Sequence, residues 1–260
     1  MGNLEAPAFL RVLMRTYIYI DGFNFYYGAV RNTPYKWLDF KSFFQKILAT
    51  EHDIVAIKYF TAYVTGKIDP RQPVRQKTYL RALKSYIPEI SIHLGHFSTH
   101  DVLAPLSNNH NKFGNRRFNV PIVRADKGGP GNIDVLAPLS SNHDNFGDRR
   151  FFVPIVKTEE KGSDVNIAVH LLNDSWMDKF DCAVVVSNDS DLAESLRLVK
   201  EQHGKVIGLI NPRGPFPARE LMKHAIFQKK IRKGVLRDSQ LPDPIPGTNI
   251  KKPKEWSPDN

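Results

Sequence analysis

Four aspartates stand where their type and spacing could do chemistry. Asp21 closes the β-rich run Thr16-Tyr17-Ile18-Tyr19-Ile20, and Asp164 follows Lys161-Gly162-Ser163 at the start of a helical pattern. Asp189 and Asp191 follow the apolar run Cys182-Ala183-Val184-Val185-Val186, within Ser187-Asn188-Asp189-Ser190-Asp191. Carboxylates gathered at one place repel one another and raise one another's pKa unless a cation neutralises them. An all-oxygen set suits Mg²⁺ or Mn²⁺ rather than Zn²⁺. Each acid also has a plainer reading. Asp21-Gly22 is a strand-end turn; Asp164 is an N-cap, and Asp189 or Ser190 caps the next helix. Spacing alone leaves the two readings level.

The elements that must position these acids alternate between strand and helix. Residues 16–20, 54–64, 90–97, 182–187 and 205–210 are predicted strands. Helical spacing recurs through Phe40, Phe43, Phe44, Ile47 and Leu48, then over 73–86, 164–173 and 190–203, the last closed by Gly204. Such alternation implies an α/β fold, a parallel sheet flanked by helices. Right-handed crossovers bring the strand C-termini to one edge, where Asp21 and Asp189 would meet and a helix start would add Asp164.

Composition narrows the function classes. The 260 residues carry 37 Lys+Arg against 27 Asp+Glu, a net charge of +10, with 41% hydrophobic residues and mean hydropathy −0.38. That apolar content supports a sizeable core and excludes wholesale disorder. No apolar run approaches the ~20 residues of a spanning helix. The short stretch Pro7 to Leu13 lacks the form of a secretory signal, so a cytoplasmic, non-membrane protein is expected. A single cysteine, Cys182, reads as core. The positive excess favours a polyanion, with solubility alone an equal alternative.

Two regions break the rhythm. Residues 101–123 and 134–156 are a tandem repeat, with 18 of 23 aligned positions identical. Pro130 in the first copy stands where the second has Asp164, so the first copy, about 101–133, reads as an inserted loop or hairpin and the second as the integrated one. The segment 241–260, rich in Pro, Lys and Asp, is expected to be a disordered tail.

Three motifs occur in order: Tyr17-Ile18-Tyr19-Ile20-Asp21-Gly22-Phe23-Asn24-Phe25-Tyr26, then Lys161-Gly162-Ser163-Asp164-Val165-Asn166-Ile167-Ala168, then Val184-Val185-Val186-Ser187-Asn188-Asp189-Ser190-Asp191-Leu192. Over roughly residues 15–230 the chain resembles the NYN domain group of the PIN-like nuclease superfamily, interrupted by the extra repeat copy within the duplicated segment 101–156. The resemblance implies a Rossmann-like sheet, an acidic pocket for Mg²⁺ or Mn²⁺, and RNA hydrolysis. Mapped by motif, Asp21, Asp164, Asp189 and Asp191 would bind the metal. Asn24 would orient water or substrate at the catalytic pocket, with Ser187 beside it. The chain departs from the pattern at His170, where many members carry a further acid, and at Asn188, where glycine is frequent.

The expected partner is therefore RNA, with self-association into a homo-oligomer left open. Two other classes stand beside a metal-dependent ribonuclease: an RNA- or metal-binding NYN module without turnover, and an unrelated enzyme such as an oxidoreductase, for which the sequence has no flavin or nicotinamide fingerprint. Phe23, Phe25, Tyr26 and Tyr27 read as core ahead of base-stacking residues. Arg75, Lys77, Arg81 and Lys84, and later Lys229, Lys230, Arg232 and Lys233, read equally as phosphate contacts or a solvated face.

Overall fold

The computed structural model describes residues 13–66, 69–105, 119–126, 129–138, 151–214 and 216–257. The repeat's arginine pairs, the N-terminal stretch up to residue 12 and residues 258–260 lie outside them. The chain forms two compact units, one of residues 97–159 and one of the rest.

The larger unit is built on six parallel strands: β1 (Met14–Asp21), β2 (His52–Thr61), β3 (Ile90–Leu94), β8 (Cys182–Val186), β9 (Val206–Asn211) and β10 (Phe227–Lys230). Their order is β10-β9-β8-β1-β2-β3. The chain moves outward from β1 through β2 to β3, then returns to the other side of β1 with β8. The β1/β8 boundary is thus the topological switch point, where sheets of this kind place their sites. The α/β parallel architecture expected from the alternation is present.

Alternation along β1 sends Ile18 and Ile20 to one face and Tyr17 and Tyr19 to the other. On the first face, Ile18 and Ile20 pack with α2 (Phe40–Ile47) and α3 (Gln72–Tyr86) through Phe40, Phe43, Phe44, Leu80 and Leu83. On the second, Tyr19 and Phe60 pack with α4 (Ser163–Trp176) and α5 (Ala193–His203) through Ile167, Leu171, Leu196 and Val199. Burying each such side chain stabilises by about 1.5–3 kcal/mol before the entropy of ordering is subtracted. All five residues of β8 are buried, as a central strand covered on both faces requires. Cys182 is core, as its run suggested.

Local chemistry sets the helix ends. Asp39 caps α2 by accepting from the Ser42 N–H at 3.1 Å. Gly204, at φ 62°, ends α5, with Gly204 N donating to Lys200 O and Lys205 N to Val199 O, the paired bonds of a left-handed C-terminal cap. The expected single helix over 190–203 opens instead with a 3-10 turn, Ser190–Leu192, because Asp189 caps that turn. The strand expected over 90–97 breaks at Gly95, whose N–H bonds Thr61 O, and a separate strand starts at His96.

The expectation of a disordered tail is corrected over its described part, 241–257. Leu241, Ile245 and Ile250 join the core, at 4%, 1% and 9% exposure. Leu241 N donates to Trp37 O, the Trp37 indole donates to Pro242 O at 3.2 Å, and Trp256 packs on Trp37 and Tyr79. Average composition concealed these few, spaced apolar anchors.

The smaller unit holds a four-stranded sheet, order β4-β7-β5-β6, of β4 (His96–Pro105), β5 (Asn119–Asp126), β6 (Gly129–Pro138) and β7 (Phe151–Lys161). Each repeat copy supplies an Asp-Val-Leu-Ala-Pro strand and a Val-Pro-Ile-Val strand. The pairing crosses the copies: β4 of the first pairs β7 of the second, and β5 of the first pairs β6 of the second. The first copy is thus not a separate hairpin; its opening strand is paired with the last strand of the second. Deleting residues 101–133 joins His100 to the second copy's Asp134 and regenerates the outer β4–β7 pairing from one copy. The shortened protein is expected to melt cooperatively, within a few degrees of the full chain by calorimetry. Loss of the cooperative transition would make the first copy part of the folding unit.

Candidate functional site

Strand register builds the site from the switch point outward. Ile20 pairs with Val186, which sets Asp21 against Ser187 at the C-terminal edge. Asp21 is 4% exposed, and both its oxygens are engaged. Oδ1 accepts from the Asn24 N–H at 2.9 Å, capping α1 (Gly22–Phe25), and Oδ2 accepts from Ser187 Oγ at 3.0 Å. Ser187 Oγ in turn accepts from the Asp189 N–H at 3.1 Å, and Asp189 Oδ1 accepts from the Asp191 N–H at 3.0 Å. Asp189 is half-buried and Asp191 exposed. For Asp189 the capping reading is therefore correct as local structure, and Asp21, read as a strand-end turn, caps α1.

Asp164 differs. The N-cap of α4 is Gly162, held at φ 93°, a backbone conformation that glycine adopts without steric cost. Asp164 lies inside the first turn, and its carboxyl has no hydrogen-bond partner among the described residues. Burial, followed by the charges of Asp21, Asp189, Glu160 and Asp191, pushes its pKa up to about 6. A helix N-terminus ordinarily favours a carboxylate. The rise means that burial and neighbouring negative charge outweigh it.

Two further oxygens fit this setting. Asn24 Oδ1 and Ser163 Oγ are buried without a hydrogen-bond partner among the described residues, each within a turn of one of the acids. Orphaned buried acceptors are rare and call for an explanation. The oxygens of these side chains suit a hard cation. Among the described residues, no three His, Cys, Asp or Glu side chains form a ready metal cage. The acids share a field rather than a closed coordination shell.

Residues 134–228 match the NYN domain family. A 6-hydroxy-3-succinoylpyridine 3-monooxygenase, HspA, of Pseudomonas putida strain S16 is 32% identical over 263 residues, covering 94% of this chain and 75% of that protein. The chain belongs to the NYN domain family of the PIN-like superfamily. A solved protein of unknown function from Vibrio parahaemolyticus is similar at 15% identity and a TM-score of 0.45, over 88% of this chain and 98% of that one. The NYN family is nuclease-type, its members are generally RNA-related, and PIN-like nucleases generally use divalent metals. No helix among the described residues of this NYN domain is long and apolar enough to cross a membrane.

Glu160 was not among the sequence candidates. It reaches the acid group from the end of β7, where its Oε1 accepts from the Ser163 N–H at 3.1 Å. Its place just before Lys161-Gly162-Ser163-Asp164 was the available signal. Asn188, where other NYN sequences favour glycine, accepts from the Ala218 N–H at 2.7 Å and ties down the loop carrying Asp189.

A second charged group was also missed. Asp174, on α4, is 1% exposed and accepts from the Tyr19 hydroxyl at 2.9 Å, from Lys179 at 3.2 Å and from Lys58. Burial opposes its ionisation, but the Lys58 and Tyr19 hydrogen bonds prevail and hold its pKa below the usual range. His170 Nδ1 lies 3.3 Å from Lys58 Nζ, and its ring lies 4.1 Å from that of His93. Burial, then His170 and Lys58, depress the His93 pKa to about 4. His170 is thus a partly buried helix residue in a structural network that docks α4 on the sheet.

The aromatic and basic candidates divide. Phe25 is core, whereas Tyr27 is 47% exposed, stacked with Phe23 and covered by Arg31. Arg75 pairs with Asp69 and Glu255, while Lys77, Arg81 and Lys84 are exposed.

Proposed function

We propose that this NYN domain hydrolyses RNA phosphodiester bonds at the pocket formed by Asp21, Asp164, Asp189 and Asp191, with Mg²⁺ or Mn²⁺ held by these acids and by water. The carrying observation is the unpartnered, half-buried Asp164 carboxyl, raised to about 6 amid four other acids. Negative charge gathered around a half-buried carboxyl is costly in a folded protein, and a divalent ion relieves it. One or two carboxylates suffice for magnesium, which keeps several waters.

When bound, the cation neutralises charge on the scissile phosphate and favours ionisation of the attacking water. The chain supplies position. Asp21 is fixed by the Asn24 N–H and by Ser187, so its carboxylate cannot swing away from the pocket. Asp164 and Asp191, whose carboxyls accept no hydrogen bond among the described residues, are left to face the cation. Asn24 Oδ1 is an acceptor for the attacking water or a sugar hydroxyl. The positive excess of the chain draws the RNA strand.

The test is cleavage of end-labelled single-stranded RNA by purified protein in Mg²⁺ or Mn²⁺. Cleavage that stops with EDTA and returns with Mn²⁺ supports the proposal. Salt-sensitive RNA binding without cleavage in either ion would replace it with the binding-module reading.

The name of the Pseudomonas relative favours a second reading, oxygenation of a hydroxylated pyridine. Such a reaction consumes O₂ and two electrons from a donor. Oxygen uptake dependent on 6-hydroxy-3-succinoylpyridine and an added donor would support it.

A further inference from the structure

On the sheet face opposite α4, a chamber of about 330 Å³ opens beside Gly22, the residue after Asp21. This volume lies in the range of small-molecule sites, roughly 300–1,000 Å³. We propose that the chamber binds a planar heteroaromatic ring carrying an anionic group, apart from the acid pocket.

Aromatic side chains form much of its wall, among them Phe23, Tyr26, Tyr27, Tyr79 and Trp256. Flat rings offer stacking surface to a flat ligand. Gly22 permits the close approach of Tyr59: a Cβ there would lie 2.8 Å from the Tyr59 hydroxyl.

The Tyr59 hydroxyl is the decisive group. Tyr59 is 7% exposed and lines the chamber, yet its hydroxyl has no hydrogen-bond partner among the described residues. Other buried tyrosines are satisfied, Tyr79 by Leu38 O at 2.8 Å and Tyr19 by Asp174. A hydroxyl that lines a cavity and bonds no other described residue is open to a ligand acceptor.

Charge specifies the rest of the ligand. Among the described residues, Arg31, Lys36 and Arg75 line the chamber against one acid, Asp69. Asp69 and Glu255 pair with Arg75. Arg31 and Lys36 have no carboxylate partner among the described residues; Arg31 lies over the Tyr27 ring at 5.1 Å and Lys36 donates to Thr33 O at 3.0 Å. Burial, with Arg75 and Lys252, lowers the Lys36 pKa, so positive charge there is unrelieved. A phosphate or carboxylate on the ring would relieve it.

Two sources share this chemistry: a nucleotide, free or within an RNA strand, and a free aromatic acid. The nucleotide source alone rests on the ribonuclease proposal. Calorimetric titration of the full chain with 5′-UMP, 5′-AMP and nicotinate separates them, with inorganic phosphate as the control lacking a ring. Saturable binding of at least one ring-bearing anion is expected, at least about tenfold tighter than phosphate. Tyr59→Phe removes only the unpartnered hydroxyl; it should weaken that binding about 3- to 10-fold with the melting temperature unchanged, and Arg31→Ala about tenfold or more. Asp164→Asn should leave it intact, which distinguishes this site from the acid pocket whether or not RNA is cleaved. No binding below about 10 mM for any of the three, affinity unmoved by both chamber substitutions, or binding lost in Asp164→Asn would overturn the assignment.

Discussion

Asp164→Asn should lower divalent-dependent RNA cleavage by at least about 10²–10³-fold, the scale of losing one preorganised electrostatic group, while making the cation-free protein slightly more stable. The two effects have one origin. The folded-state pKa of Asp164, about 6, lies above the ordinary 3.8. A carboxyl whose folded pKa is raised adds stability below its unfolded pKa and loses it as pH rises through the folded value. The cation-free protein therefore loses stability from this group between about pH 4 and pH 6. The shift corresponds to a few kcal/mol at face value, but solvent screening of a half-exposed group reduces it to on the order of 1 kcal/mol. Asparagine keeps the shape and lacks the charge. At pH 7.5 in EDTA its melting temperature should exceed the wild type's by about 2–4 °C, and the gap should close near pH 4. His93, depressed to about 4, acts in the opposite sense, losing stability as pH falls from 6.5. The wild type minus variant difference cancels that contribution. Calorimetry across this window and a cleavage assay on the same samples check both effects. Retained metal-dependent cleavage in the variant would remove Asp164 from the machinery.

Asp174→Ala should destabilise by about 3–5 kcal/mol, because it leaves Lys58 as a nearly buried charge without its carboxylate and Tyr19 without its acceptor. Replacing both partners tests the cause. Lys58→Met with Asp174→Leu removes the charges together and should recover most of the loss. Urea midpoints for the single and double variants provide the readout. A loss under about 1 kcal/mol in Asp174→Ala would show that the network does not hold α4 to the sheet.

Much of this arrangement was legible in the sequence. The run ending at Asp21 and the apolar β8 announced central parallel strands, and the strand–helix rhythm set their C-termini on one edge. The acids were visible because they stand at element ends, where spacing has meaning. Other parts depend on distances that spacing does not encode. Lys58 and Asp174 are 116 residues apart and meet only because β2 and α4 share a sheet face. Glu160 looked like one residue of a charged stretch until β7 delivered it beside Ser163. The segment from Leu241 read as tail because three buried aliphatic residues carry little weight among prolines and lysines. Repeat pairing was hidden for another reason: nearly identical copies make cross-copy and within-copy pairing equally compatible with the pattern.

Hydrolysis of a short single-stranded RNA in H₂¹⁸O with Mn²⁺, read by mass spectrometry of the products, tests the catalytic role of the acid pocket most directly. Attack by water places one solvent oxygen on each newly formed terminal phosphate, so a gain of one ¹⁸O per cut, abolished by EDTA, is the expected result. An intact strand, or ends released as 2′,3′-cyclic phosphates without solvent oxygen, would contradict it.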